Sequence, residues 1–294
     1  MRVRDRVQFG LMLAPYLAGL AVLIIIPAVA GFALAFANYN ALQPPRFAGL
    51  ANFRALMGDE VFRTAIVNSL FYIALAVPLR LVGALLTARL LLRPRRGTRL
   101  YRAIVYLPTV IPDMAWALIW LWILNPIYGP LNQALGLIGI DGPSWLVDPT
   151  WARLGIVLMM IWQVGEGFVV CLASLQGVSR DMLDQAAVDG SGPWRAFWGI
   201  SLPLIAPALL LLLFRDTILS FQANFVPALI VGRGGGPDYA TTFLPMYIYT
   251  TAFGYLRFGY AAAMTCAMYV LTALVLWLQY RTVRRWRLGF DDAL

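Results

Sequence analysis

The sequence predicts an all-α integral membrane protein: six transmembrane helices, with a cytoplasmic helical elbow between the fourth and the fifth. Three observations carry that prediction. Of 294 residues, 61% are hydrophobic and only 13% are charged, whereas a water-soluble globule carries about 25% charge; the mean hydropathy is +0.74. Six apolar stretches are long enough for the ~20 helical residues that cross a hydrocarbon core. Arginines gather on alternate connections between these stretches, the pattern that sets membrane orientation.

The first span is expected at residues 9–37. Arg2, Arg4 and Arg6 ahead of it imitate a secretory signal peptide, but its apolar run exceeds the roughly 7–15 residues of a signal core, so a retained helix is expected. The second span, 64–92, carries Arg80 and Arg89 toward its cytoplasmic end, where long stems can snorkel to the interface. The third follows at 101–124, the fourth at 151–175, the fifth at 202–231 and the sixth at 258–280. Between them, the segments 39–63, 125–150 and 232–257 are rich in turn formers such as Gly129-Pro130, Gly142-Pro143 and Gly236-Pro237. Trp145, Trp151, Tyr247 and Tyr249 suit the headgroup level. Cys171 and Cys266 fall inside apolar runs and imply neither a disulfide nor a metal site.

An even number of spans returns both termini to one side. That side holds Arg2, Arg4 and Arg6, the cluster Arg93, Arg95, Arg96, Arg99 and Arg102, then Arg180 and Arg195, and finally Arg281, Arg284, Arg285 and Arg287. The opposite side holds only Arg46, Arg54, Arg63, Arg153, Arg233 and Arg257. Both termini and the segment 179–200 are therefore expected in the cytoplasm of a plasma-membrane protein. The net charge of +9 reads as membrane topology, and no nucleic-acid partner is expected.

Absences narrow the function further. All 23 basic residues are arginine, with no lysine and no histidine. A phosphate-binding P-loop needs its lysine, so this chain has no such ATP site. Without histidine there is no Ser-His or Cys-His pair, no two-histidine metal helix and no imidazole relay. An enzyme is not expected.

The segment 179–200 breaks the apolar pattern. Residues 179–189 read as a helix with Met182, Leu183, Ala186 and Ala187 on one face and Asp181, Asp184, Gln185 and Val188 elsewhere. Ser179 suits its N-cap, Asp181 its positive end, and Gly190 its termination. Pro193 can start a second short helix bearing Trp194, Phe197 and Trp198. One reading is an elbow that inserts into a groove on a partner. The other is an amphipathic helix lying on lipid, which accounts for the tryptophans but gives no role to Asp181, Asp184 and Asp189 beside an anionic leaflet.

The stretch from Asp184 to Gly190, followed by Leu202-Pro203, resembles the "EAA" loop of permease subunits of binding-protein-dependent ABC importers of the carbohydrate (maltose or glycerol-phosphate) type. That loop reads approximately Glu-Ala-Ala-x-x-Asp-Gly and then Ile-x-Leu-Pro-x-x-x-Pro. Ala186, Asp189, Gly190, Ile200, Leu202, Pro203 and Pro207 match it, while Asp184 stands for the glutamate and Gln185 for the first alanine. The resemblance extends to Leu107-Pro108, Trp120 and Trp122 with Asn125, Gly129 and Asn132, Trp145 with Asp148-Pro149, Trp162-Gln163, Gly234-Gly235-Gly236-Pro237 and Phe258-Gly259-Tyr260-Ala261-Ala262, nearly the whole chain.

The resemblance implies a permease domain over residues 1–294 that forms a translocation pathway for a carbohydrate, polyol or glycerol-phosphate compound. It implies a second homologous permease, two ATPase subunits that hold the ATP and magnesium, an extracytoplasmic solute-binding protein, and no cofactor or metal in this chain. Asp181, Asp184, Gln185, Ala186, Ala187, Asp189, Gly190 and Arg195 would form the coupling-helix elbow that the ATPases grip. Gly234, Gly235, Gly236 and Pro237 would meet the binding protein.

A sugar site wants flat aromatic faces together with amides and hydroxyls. The fifth span offers Ser220, Phe221, Gln222 and Asn224, and the sixth Thr265 and Tyr269. The same polar groups serve equally as hydrogen bonds between helices. Asp113, Glu166, Arg215 and Asp216 stand at membrane depth, where each charge costs about 2.5–3.5 kcal/mol and therefore needs a cavity or a partner. Arg215 and Asp216 lie about 100° apart on a helix and are expected to serve different partners. A bridge to the second permease and a role in transport both remain open for the four. An ion- or proton-coupled carrier using Asp113, Glu166 or Asp216 is the rival of a different class.

Overall fold

The computed structural model describes residues 3–222, 225–232 and 234–291. Most are helical; among them the only strands are the two-residue pair Ala37–Asn38 and Arg46–Phe47, antiparallel. Four apolar helices are long enough to cross a membrane: Leu11–Leu34, Glu60–Leu90, Pro193–Gln222 and Phe258–Arg284. Two helix pairs are long and apolar enough only when taken together, and both are bent: Thr98–Val110 with Asp113–Ile123 at 102° and Pro149–Ile161 with Gly165–Gln176 at 44°.

The expectation of continuous third and fourth helices is corrected by those bends. Pro112 disfavours the helical conformation for the residue before it, and Ile111 is extended at ψ 127°; the chain turns there and Asp113 opens a new helix. In the fourth span Gly165 restarts the helix against the third. A Cβ added at Gly165 would come 3.1 Å from Tyr106 Cα and overlap Thr109, so only glycine permits that approach.

The fifth span is also corrected. Its helix begins at Pro193, not near residue 202, and runs through a wide π-type turn, Phe197–Ser201, into Leu202–Gln222. Pro203 has no N–H to offer the preceding turn, and such a widened turn lets the helix pass a proline unbroken. The second arm of the elbow is therefore the beginning of the fifth span.

Packing divides the chain into two units, residues 1–60 with 247–271 and residues 61–246 with 272–294. In the first, Asn52 donates to the Ala35 and Ala37 carbonyls at 2.9 and 3.0 Å, and Asp59 accepts the Tyr247 and Tyr260 hydroxyls at 2.8 and 2.6 Å. Burial, reinforced by the Asp59 hydrogen bond and charge, pushes the Tyr247 phenol above its ordinary range, so it remains a donor. Tyr247 thus has an internal partner in Asp59.

In the second unit the core joins Ala84 and Ala88, Phe168, Cys171, Leu172 and Leu175, and Phe197, Ile205 and Leu212. Small residues bring the second and fourth spans close: a Cβ on Gly167 would lie 3.1 Å from that of Ala84.

Candidate functional site

Both helix breaks of the second unit open on one cavity of about 240 Å³. Its wall includes Arg80 of the second span, Thr109 and Asp113 at the first break, Gln163 and Glu166 at the second, and Arg215, Asp216 and Ser220 of the fifth. Interrupted backbone at membrane depth is tolerated where it is buried in protein or lines a polar cavity. The two breaks and this cavity satisfy that rule together.

The four charges flagged in the spans all lie on this wall. Arg80 Nε donates to Asp216 Oδ2 at 3.0 Å, with the side chains only 14% and 11% exposed. Arg215 pairs with Glu166 in a half-exposed bridge, and its Nη1 also stands 3.6 Å from Asp216 Oδ1. Arg215 and Asp216 therefore have separate principal partners, as their spacing predicts, while Asp216 receives both guanidinium groups. Arg80 does not snorkel; it is held inside by the carboxylate.

Of the residues expected on the pathway, Ser220 lines this cavity. Phe221 is buried, Gln222 is exposed, and neither lines the cavity. Thr265 and Tyr269 belong to the first unit, where Thr265 donates to Ala261 O at 2.9 Å and Tyr269 packs on Phe32. Asn224 lies outside the described residues.

The first arm of the elbow is the helix Arg180–Val188. Gly190 stands at φ +80°, its N–H bonds to Ala187 O at 3.1 Å, and that of Ser191 bonds to Ala186 O at 2.8 Å. This is the paired termination that a left-handed glycine makes possible. Ser179 occupies the N-cap position, but its hydroxyl makes no capping bond. Among the expected docking residues only Ala186 is buried; Asp181, Asp184, Gln185, Ala187, Asp189 and Arg195 are exposed. On the expected apolar face, Met182 and Ala187 are exposed, while Ala186 and part of Leu183 turn inward. The outer face is carboxylate-rich, with Val188 88% exposed between Asp184 and Asp189.

The second arm is tied down. Phe197 enters the core, and the Arg89 guanidinium carbon lies 3.8 Å from its ring centre and 4.7 Å from that of Trp194. Arg89 thus links the end of the second span to the elbow, where simple snorkelling was expected.

In the glycine loop, Gly234, Gly235 and Gly236 stand at φ +85°, +139° and +68°. Gly235 is buried, and a Cβ there would lie 2.7 Å from Thr242 Oγ1, so the exposed tip consists of Gly234, Asp238 and Tyr239. Asn68 fixes this loop to the second span by donating to the Tyr239 and Thr242 carbonyls at 2.8 and 2.9 Å, and Ser69 Oγ accepts from Leu244 N at 3.0 Å. Asn68→Ala is expected to cost about 1–3 kcal/mol, because two carbonyls lose a buried donor. A thermal melt of the purified protein measures it; an unchanged midpoint counts against the pinning role.

Other signature residues shape the connection after the third span. Asn132 Oδ1 accepts from Trp145 Nε1 at 2.7 Å while its amide donates to the Pro126 and Pro143 carbonyls. Asp148 caps the helix Pro149–Ile161 through the N–H groups of Thr150 and Trp151. Trp145 thus spends its N–H internally rather than at the headgroups. Sequence reasoning missed Asn68, Ser69 and the ion-pair role of Arg80; for Arg80, the signal was a charge placed deeper in the span than its end.

Residues 80–288 match the family described as binding-protein-dependent transport system inner membrane component. The chain is 32% identical to the probable ABC transporter permease protein YesP of Bacillus subtilis, over 96% of this chain and 92% of that one. It is likewise 32% identical to the sn-glycerol-3-phosphate transport system permease protein UgpA of Yersinia enterocolitica, covering 94% and 93%. In structure it is similar to a bacterial ABC transporter involved in the import of the acidic polysaccharide alginate, with a TM-score of 0.80, 25% identity and 96% of each chain covered.

Proposed function

The chain belongs to the family of binding-protein-dependent transport system inner membrane components, and from that premise we propose that its share of the solute path is the cavity between Arg80, Asp113, Gln163, Glu166, Asp216 and Ser220. The chain is a multi-pass membrane permease of an ABC importer and is not itself catalytic. The ion- or proton-coupled carrier gives way to that assignment.

The proposed cargo is a carbohydrate or a related polyol. The observation that carries this is a polar cavity at two helix breaks, rich in hydrogen-bonding groups and enclosed by apolar spans, where directional contacts replace the water of a hydroxylated solute. Its volume of about 240 Å³ suits one sugar-ring-sized unit at a time. A second permease chain would complete the path, and two ATPase subunits would supply ATP hydrolysis. With both termini in the cytoplasm, the Arg180–Val188 helix would present Asp181, Asp184 and Asp189 to a basic groove on an ATPase, and the exposed tip at Gly234, Asp238 and Tyr239 would meet the binding protein.

ATP closure of such a motor would push the elbow. Because the second arm continues into the fifth span and Arg89 grips it from the second, the push reaches the cavity wall through continuous helix rather than flexible chain. Uptake of radiolabelled sugars and polyols by cells lacking this chain, with and without restored expression, tests the reading. Loss of ATP-dependent uptake of at least one such solute is expected; unchanged uptake of every one would overturn it.

A further inference from the structure

Two kinds of group in a membrane cavity can hold an anion: free cations and the N-terminal ends of helices, whose unbonded N–H groups and dipoles favour negative charge. This cavity has cations and helix N-terminal ends, and it sets a carboxylate beside each of them. Arg80 faces Asp216, and Arg215 faces Glu166. The helices that restart at the two breaks, Asp113–Ile123 and Gly165–Gln176, each carry an acid in the first turn, Asp113 and Glu166. Two guanidinium groups stand against three carboxylates on the wall, a formal balance of −1.

From this arrangement, and resting on the solute path proposed above, we infer that the permease selects an uncharged polyhydroxy solute and rejects its phosphorylated or carboxylated counterparts. An anion entering the cavity would have to displace Glu166 from Arg215 or Asp216 from Arg80 and would meet the remaining carboxylates at short range. A neutral polyol needs no such exchange. Its hydroxyls donate to Asp113 and Glu166, and the Gln163 amide both donates and accepts. Relatives that handle glycerol 3-phosphate or an acidic polysaccharide therefore differ from this chain in cargo charge, whatever they share in fold.

The test is equilibrium binding to the complete membrane complex, purified with its partner permease and ATPases and with the binding protein left out, so that only the membrane path selects. The probes are radiolabelled pairs that differ by one anionic group: glycerol with glycerol 3-phosphate, and a methyl glucoside with the matching glucuronide. The neutral member of at least one pair is expected to bind about tenfold or more tighter, the scale of a close like-charge penalty. Glu166→Gln, which leaves Arg215 only its longer contact to Asp216, and Asp113→Asn, which removes a carboxylate outside the two ion pairs, should each narrow that ratio several-fold. A wild-type preference for the anionic member, or ratios unmoved by both variants in an intact complex, would overturn the inference. Absence of binding by every probe to wild type and variants alike would instead remove the cavity as a solute site, and with it the reading beneath.

Discussion

Gly190→Pro should lower solute uptake on the order of a hundredfold while leaving the chain in the membrane. Gly190 stands at φ +80° and donates its N–H to Ala187 O; proline is held near φ −65° and has no N–H. The substituted loop cannot close the Arg180–Val188 helix in its present form, and a mismatch of that kind costs about 3 kcal/mol, roughly a hundredfold in the fraction of correctly shaped loop. The damage falls on the proposed transmission and not on the cavity. ATP hydrolysis by the reconstituted complex should therefore persist at its unstimulated rate while stimulation by the binding protein disappears. Asparagine tolerates the left-handed conformation, so Gly190→Asn should retain most uptake. Normal transport by the proline variant would show that the shape of the elbow does not matter.

Arg80→Leu is expected to destabilise the protein by about 3–5 kcal/mol, because removing one partner strands a buried charge. Asp216 would lose its 3.0 Å bond and keep only Arg215 Nη1 at 3.6 Å, which places the expected loss toward the lower end. Replacing the whole pair by leucine removes both charges and should restore much of the stability, since a buried ion pair is often no more stabilising than apolar packing. Thermal unfolding of the single and double variants in detergent measures the difference. A single variant as stable as wild type, or a double variant no better than the single, would dismiss the pair as a structural element. Uptake by the refolded double variant then reports on solute contact alone.

Local chemistry made the elbow legible. Gly190 ends its helix in the left-handed conformation, and Pro193 starts the next, because those two residues have backbone preferences that hold in any context. The apolar lengths of the spans were legible for a similar reason, as burial in hydrocarbon is set by composition along the chain. The helix break at Ile111 could be read from Pro112, although length alone suggested one continuous span. The break ahead of Gly165 could not, because the close approach of a different helix to this residue without a Cβ is seen only in the fold.

The cavity shows the same division. That Asp113, Glu166, Arg215 and Asp216 need partners follows from the cost of charge in hydrocarbon; which partners they take does not, since Arg80 and Asp216 lie 136 residues apart. Phe221 and Gln222 have suitable chemistry for a sugar, yet of that run of the fifth span it is Ser220 that reaches the cavity wall.

By itself the sequence determined an apolar, helical chain with arginines on alternate connections, a polar segment whose helix ends at a glycine, and no lysine for a phosphate-binding loop. The tertiary structure decided where the spans bend, that Arg80 is drawn inward, and that the second arm of the elbow is the start of a span. The division has a physical cause: hydropathy and backbone preference act between neighbours along the chain, whereas charge pairing and close helix approach act between residues that only folding brings together.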